Sequence, residues 1–357
     1  MSDGFATAGA RDVLASKIPV TLITGFLGAG KTTLVSKLIR HPDMDRVAVV
    51  INEVGEIGID HDLVASSSEN ITLLSNGCIC CSVRTDMQET LRDLFARRTV
   101  GEILDFDRVI IETTGLADPA PVIQTLVSDT MLEAQYRFDG LVTLADAVNL
   151  PSQLKNQPEA TKQLAIADKI FITKTDLIAS PEIDALRAQI IQINPHAPIA
   201  YLTNGVIKPK ELMNLGLTSA KSTSKTLDFL GENNPPTETG KYLGSFVNAH
   251  SSQIKTASIR FTEPFTWTAF SAALELLSNL RGPDMLRVKG IVNVEGKPVV
   301  IQGVQHIFHP PVHLDKWPSS DQDSRLVFIT RNIPAELIQN LFEAVGSVSN
   351  ASSQAGI

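Results

Sequence analysis

Residues 20–33 read VTLITGFLGAGKTT and carry the most specific chemistry in this chain. Gly25, Gly28, Ala29, Gly30, Lys31, Thr32 and Thr33 fall within or beside the spacing GxxxxGK[ST], directly after an apolar run and at the start of a helical pattern. Glycines let the backbone curl until its N–H groups converge on phosphate oxygens, and a helix start adds partial positive charge at the same point. Lys31 is expected to reach the β- and γ-phosphates, and the Thr32 hydroxyl to ligate Mg²⁺.

A magnesium shell also needs a carboxylate from the tip of a neighbouring strand. The run VIIETTG at 109–115 supplies Glu112, followed three positions on by Gly115, whose N–H is placed to sense a γ-phosphate. The competing reading of Glu112 is a surface acid after a strand. Base selection falls to FITKTD at 171–176: a carboxylate at Asp176 can accept from guanine N1–H and N2–H₂, which adenine cannot offer, while the Lys174 stem lies over the purine. Guanine motifs usually carry Asn where Thr173 stands here.

The chain has 3 cysteines, and Cys78, Cys80 and Cys81 fall within four residues of one another. A disulfide framework would spread its cysteines to close loops. Clustered thiolates, with Arg84 and a helix start nearby to favour the ionised form, suit a soft or borderline ion such as Zn²⁺. A vicinal redox pair and three small buried side chains are the other readings. The stretch NEVGEIGID at 52–60 lies between the phosphate loop and these cysteines, where a nucleotide-responsive loop would fall. There Glu56 could join the zinc ligands and Asp60 could orient water or a magnesium ligand; each is equally an ordinary solvated acid.

The elements that must position these groups are legible from periodicity. Short apolar runs at 20–23, 47–51, 109–111, 141–144, 170–172 and 199–202 read as strands buried on both faces. Helical patterns at 32–40, 87–98, 121–130, 162–167 and 181–192 alternate with them. The expected fold class is α/β, a mostly parallel sheet wrapped by helices, with ligands where the strands end. Residues 71–74 also look strand-like, which leaves the cysteines in a loop that enters the helix at 87. Residues 1–17 read as a flexible tail, 18–215 as the nucleotide domain and 216–252, rich in Ser, Thr, Asn and Pro, as a linker. From 253 to 346 a smaller α+β domain is expected: strands at 257–261, 286–294, 299–304 and 326–330, with helices at 266–280 and 334–345. Residues 347–357 read as a frayed tail.

Composition narrows the classes further. In 357 residues, 43% are hydrophobic and the formal charge is −8, so a sizeable core is affordable and no basic footprint for nucleic acid exists. No apolar run approaches the ~18 residues of a membrane span, and residues 1–17 carry no secretory pattern. The clustered cysteines point to a reducing, cytoplasmic compartment. His306, His309 and His313 have ligand-like spacing, but Pro310 and Pro311 forbid a helix through them, and they read as structural or surface residues.

Taken together, these motifs resemble the CobW-type GTPases, the metallochaperone branch of the P-loop GTPases with YjiA-like bacterial members and zinc-transferring eukaryotic ones. The matching stretches are TGFLGAGKTT (24–33), NEVGEIGID (52–60), NGCICC (76–81), IETTGLADPAPVIQT (111–125) and TKTD (173–176). In the second domain KGIVNV (289–294), IQGVQHIFHPP (301–311) and SRLVFI (324–329) also match. The resemblance implies a slow, metal-stimulated GTP hydrolase that needs Mg²⁺, binds Zn²⁺ at CxCC and delivers it to a client metalloprotein, as a monomer or a weak metal-dependent homo-oligomer. By position, Lys31 and Thr32 would hold phosphate and magnesium, Glu112 the magnesium shell, Asp176 the guanine, and Cys78, Cys80 and Cys81 the zinc. Some members carry an acidic residue where Ile51 stands, and many a His-rich run where this chain has only His250. Cobalt or iron cargo is the nearest alternative, and a P-loop small-molecule kinase a more distant one.

Overall fold

The computed structural model describes residues 13–51, 64–67, 71–74, 79–82, 87–217, 226 and 254–354. Among these residues the six alternating apolar runs and the strand-like 71–74 join two unexpected strands, β3 and β5, in a nine-stranded sheet: β1 (Ile18–Gly25), β2 (Val47–Ile51), β3 (Val64–Ser67), β4 (Ile71–Leu74), β5 (Ile79–Ser82), β6 (Arg108–Glu112), β7 (Tyr136–Asp146), β8 (Lys169–Thr173) and β9 (Ile199–Leu202). Their order is β3-β4-β5-β2-β6-β1-β7-β8-β9. From β5 to β9 every neighbouring pair is parallel, and β3 and β4 add an antiparallel edge. Every residue of β1, β2 and β6 is buried, the physical reason these strands read as unbroken apolar runs instead of alternating ones.

Helices cover both faces. The helix Lys31–Leu38 packs Leu34, Val35 and Leu38 against Ile23, Val49, Ile110 and Phe171. On the other face, helices Met87–Thr99, Ala120–Ser128 and Ser180–Ile193 bury Leu91, Ile123 and Ile190 with Leu22, Val50 and Ile111. Full burial of each such side chain contributes about 1.5–3 kcal/mol.

Several elements depart from the sequence expectations. The helix expected at 121–130 breaks at Asp129, whose extended backbone ends one helix and whose carboxylate accepts from the N–H groups of Met131 and Leu132 to start the next, Thr130–Gln135. The helical pattern at 162–167 begins earlier, as Pro158–Ala165, and an unexpected helix Leu150–Asn156 precedes it; a proline opens or nearly opens each. The cysteine segment is not a loop: residues 79–82 form β5. Part of the expected N-terminal tail is ordered, as the helical turn Val13–Ser16. At the other end the last helix, Ala335–Gln354, continues through most of the expected frayed tail.

The second domain is an antiparallel sheet of β10 (Ile254–Phe261), β11 (Met285–Val294), β12 (Lys297–Val304), β13 (Ile307–Phe308), β14 (Val312–His313) and β15 (Ser324–Arg331), ordered β10-β15-β11-β12-β13 with β14 on β12. The short strands β13 and β14 had no sequence signal of their own. Helices Trp267–Arg281 and Ala335–Gln354 cover one face, where Phe270, Leu277, Phe328, Ile338 and Phe342 interlock. Leu286, Val304, Ile307 and Ile329 leave the other face and join the core of the first domain. Leu217, at the start of the expected linker, packs beside Ile291, Val300 and Leu314 of this sheet.

A buried charge cluster marks the junction. Asp168 accepts from Arg287 at 2.6 Å and from Lys289 at 2.5 Å, and also from the Leu141 N–H at 2.9 Å. Burial alone would raise the Asp168 carboxyl, but Arg287 and Lys289 outweigh it and hold the group at about 2. His309 is buried and stacked on Phe138 at 5.1 Å between centroids, while His306 and His313 are exposed. None of the three forms a ligand cluster among the described residues.

Candidate functional site

The site lies at the carboxyl end of the central strands. β1 delivers the chain into the phosphate loop at Gly25, where a Cβ would stand 2.6 Å from the Leu144 carbonyl, so only glycine lets β1 and β7 come this close. Gly28 and Gly30 hold φ of +76° and +92°, the left-handed region, which curls the loop. Gly30 is the N-cap of the helix Lys31–Leu38 and supplies no side-chain acceptor, so no cap competes for the first-turn N–H groups that an anion would use. Lys31 is buried, and its ammonium donates to the carbonyls of Gly25 at 2.9 Å and Phe26 at 3.4 Å, folded back across the loop it is expected to serve. Thr32 and Thr33 sit exposed on the first turn.

Glu112 ends β6 and is fully buried beside β1, its backbone paired with Ile23 on one side and Ile51 on the other. The Thr32 hydroxyl donates to its Oε1 at 3.3 Å. A hydroxyl and a carboxylate facing each other at a phosphate loop form a hard-oxygen donor pair that fits Mg²⁺. The segment after Glu112 is fixed by Thr113, which bonds the Ile23 carbonyl through its N–H and the Thr24 hydroxyl through its own. Gly115 lies so close to the phosphate loop that a Cβ would meet Leu27 backbone at 2.8 Å. The two halves of the expected γ-phosphate pocket are therefore in direct contact.

At the end of β8, the hydroxyl of Thr173 donates to the Ala29 carbonyl at 3.0 Å. That bond ties the end of β8, where the base-reading residues are expected, to the phosphate loop at the position where guanine motifs usually place Asn. Lys174 takes φ of +58° and pairs with Asp146 at 2.6 Å, while Asp176 is exposed in the following 3₁₀ turn, open to a base. Asp146 is a residue that sequence reasoning missed. Its side chain is inaccessible, and it accepts from Lys174, Val148 and Asn149. Burial would raise its carboxyl, and the hydrogen bonds from Lys174 and Asn149 bring it below the ordinary value. An acid at the tip of an apolar run, the signal that singled out Glu112, was present there too.

The cysteine motif divides. Cys80 and Cys81 lie on β5, paired in parallel with Val49 and Val50 of β2, and Ser82 pairs with Ile51. Since Ile51 pairs with Glu112, only one strand separates the cysteine strand from the one that ends in Glu112. Cys78, Glu56 and Asp60 lie outside the described residues. Among the described residues, no helix is long and apolar enough to cross a membrane.

Comparison with known proteins bears on this geometry. The family model for the CobW/HypB/UreG nucleotide-binding domain matches residues 19–201, and that for the cobalamin synthesis protein cobW C-terminal domain matches 254–346. The chain is 34% identical to the zinc chaperone YjiA of Escherichia coli, over 91% of this chain and 98% of that one. It is 30% identical to zinc-regulated GTPase metalloprotein activator 1 of Schizosaccharomyces pombe, over 90% and 84%. The crystal structure of the Zn(II)-bound YjiA GTPase from E. coli superposes with a TM-score of 0.71 at 31% identity, covering 92% of this chain and 99% of that one.

Proposed function

The chain belongs to the CobW/HypB/UreG family, and from that premise we propose that it is a GTP-binding and GTP-hydrolysing metallochaperone that carries zinc on Cys78, Cys80 and Cys81 and passes it to a client metalloprotein under nucleotide control. The observation that carries the reading is the row of paired residues Ser82–Ile51–Glu112–Ile23, which runs from the cysteine strand through β2 to the phosphate-loop strand. At ~4.8 Å per strand, the Cys81 backbone lies on the order of 10 Å from that of Ile111. The segment 52–63, with Glu56 and Asp60, leaves β2 directly after Ile51.

In this reading Lys31 and the N–H groups of the helix start bind the phosphates, and Asp176 accepts from guanine while Lys174, held by Asp146, covers the ring. Thr32 and Glu112 would hold Mg²⁺, which neutralises phosphate charge when bound. Gly115 senses the γ-phosphate through its N–H. The chain's contribution to hydrolysis is positioning and charge stabilisation, with no covalent intermediate. Glu56 as a zinc ligand and Asp60 as a water-orienting group complete the proposal. Coupling between nucleotide and zinc must be reciprocal, and each ~1.4 kcal/mol changes zinc affinity about tenfold.

The test is a competition titration of zinc on the full chain without nucleotide, with GDP and with a non-hydrolysable GTP analogue, alongside release of free phosphate from GTP. A zinc affinity that differs between the GDP and analogue states supports the reading; equal affinities in all three remove nucleotide control from it. Cobalt and iron in the same titration decide the cargo, and GDP formed without free phosphate would indicate a kinase.

A further inference from the structure

Asp118 lies three residues beyond Gly115, and its side chain meets the second domain. Its Oδ2 accepts from Gln305 Nε2 at 3.0 Å and from Lys162 Nζ at 2.5 Å, and its Oδ1 caps the Ala120 N–H at 3.1 Å. Burial would raise this carboxyl, but the bonds from Lys162, Ala120 and Gln305 bring it below its ordinary value, so it stays an anionic acceptor. The intervening backbone is held as well. Gln163 Nε2 donates to the carbonyls of both Gly115 and Ala117 at 3.2 Å, and Gly115 is pressed against Leu27. The segment from Gly115 to Asp118 is thus held at both ends, by the phosphate loop and Gln163 on one side and by Lys162 and Gln305 on the other.

Gln305 is an unusual residue for its place. It sits in the turn between β12 and β13 with φ of +56°, a backbone region that glycine adopts without penalty and glutamine does not. Its side chain is nonetheless buried, aimed at Asp118, while its N–H bonds the Leu286 carbonyl at 3.3 Å. A turn at this point needs only glycine; the amide of Gln305 serves the contact.

We infer that Gln305 is a positioning residue for the γ-phosphate-sensing segment: through Asp118 the C-terminal sheet holds Gly115 in the conformation that a nucleoside triphosphate requires and a diphosphate does not. This rests on the proposed function, since it presumes a guanine nucleotide at the phosphate loop. It gives the second domain a part in telling GTP from GDP, with the turn between β12 and β13 as the point where nucleotide state reaches that domain. Docking of the domain does not depend on this bond, because Asp168 with Arg287 and Lys289 joins the two domains separately.

Gln305→Gly removes the amide and keeps the left-handed backbone without strain. GDP and GTPγS affinities of the full-length wild type and variant, measured calorimetrically with Mg²⁺, provide the test. The expected result is GTPγS binding weakened about tenfold, as for loss of one hydrogen bond to a charged group, with GDP affinity unchanged within about twofold. In hydrogen exchange, GTPγS should protect residues 299–308 more than GDP does in the wild type, and this difference should vanish in the variant. An unchanged ratio of the two affinities overturns the inference and reduces Gln305 to a docking contact. A wild type that binds neither nucleotide overturns the proposed function, and this inference with it. If Gln305→Gly does not fold, Gln305→Asn, whose amide is one methylene short, carries the same measurement.

Discussion

The Thr32 hydroxyl stands 3.3 Å from Oε1 of Glu112, a residue 80 positions later in the chain. Nothing local brings them together. Thr32 is placed by the first turn after the phosphate loop and Glu112 by the end of β6, and the parallel pairing of β1 with β6 in the register Ile23–Glu112 makes them meet. Glu112→Gln keeps the shape and the bond from Thr32 but removes the charge. The Mg²⁺ concentration that half-saturates nucleotide binding should rise about tenfold, and magnesium-free GDP binding should hold.

Lys31 is the cation the phosphate loop buries. Lys31→Ala should weaken GDP and GTPγS binding by roughly 100-fold, the loss of about 3 kcal/mol of charge-assisted hydrogen bonding, in a fluorescence titration. Zinc binding without nucleotide should survive. A variant that hydrolysed GTP at the wild-type rate would reassign the site.

Asp176 is exposed and offers acceptors only. Asp176→Asn places a donor against guanine N1–H or N2–H₂, and the preference for guanine over adenine nucleotides should fall at least tenfold in competition binding. Asp146→Asn weakens the hold on Lys174 and should raise the dissociation constants of both nucleotides by a similar, smaller factor.

Asp168 compensates the buried Arg287 and the partly buried Lys289 between the domains. Asp168→Asn leaves Arg287 and Lys289 without their carboxylate and should cost about 3–5 kcal/mol in urea denaturation, more than removal of an exposed pair such as Arg46–Asp105.

The same junction predicts the response to acid. Burial, then the positive charge of Arg287, pushes His309 from 6.5 down to about 3, and burial with Lys289 takes His196 to about 4. The unfolded chain takes up these protons below pH 6.5 and the folded chain does not, so stability falls as pH drops from 6.5 and levels off near those lower values. The slope approaches about 1.4 kcal/mol per pH unit for each histidine. Asp168 acts in a lower window: its stabilisation is full above its ordinary 3.8 and is lost as pH falls toward about 2. His309→Phe, which retains a ring against Phe138, should roughly halve the loss of stability between pH 6.5 and 4 in denaturant titrations at successive pH values.

The local chemistry was legible in one dimension because it is written in contiguous residues. A phosphate loop needs its glycines, lysine and threonine in fixed succession, and a strand buried on both faces needs an unbroken apolar run; both survive as strings. Boundaries failed where a single side chain decided them, as when Asp129 capped one helix and stopped another. The phosphate loop, the acid at the tip of β6, the alternation of strand and helix and the clustering of the cysteines can all be read from the order of residues alone. It took the folded chain to show that residues 79–82 are a strand beside β2, that Asp146 holds Lys174, and that Gln305 reaches Asp118 across 187 positions. Sheet order and domain docking set those contacts. They come from the packing of buried apolar faces, which fixes which distant segments lie side by side and leaves no spacing pattern in the chain to announce it.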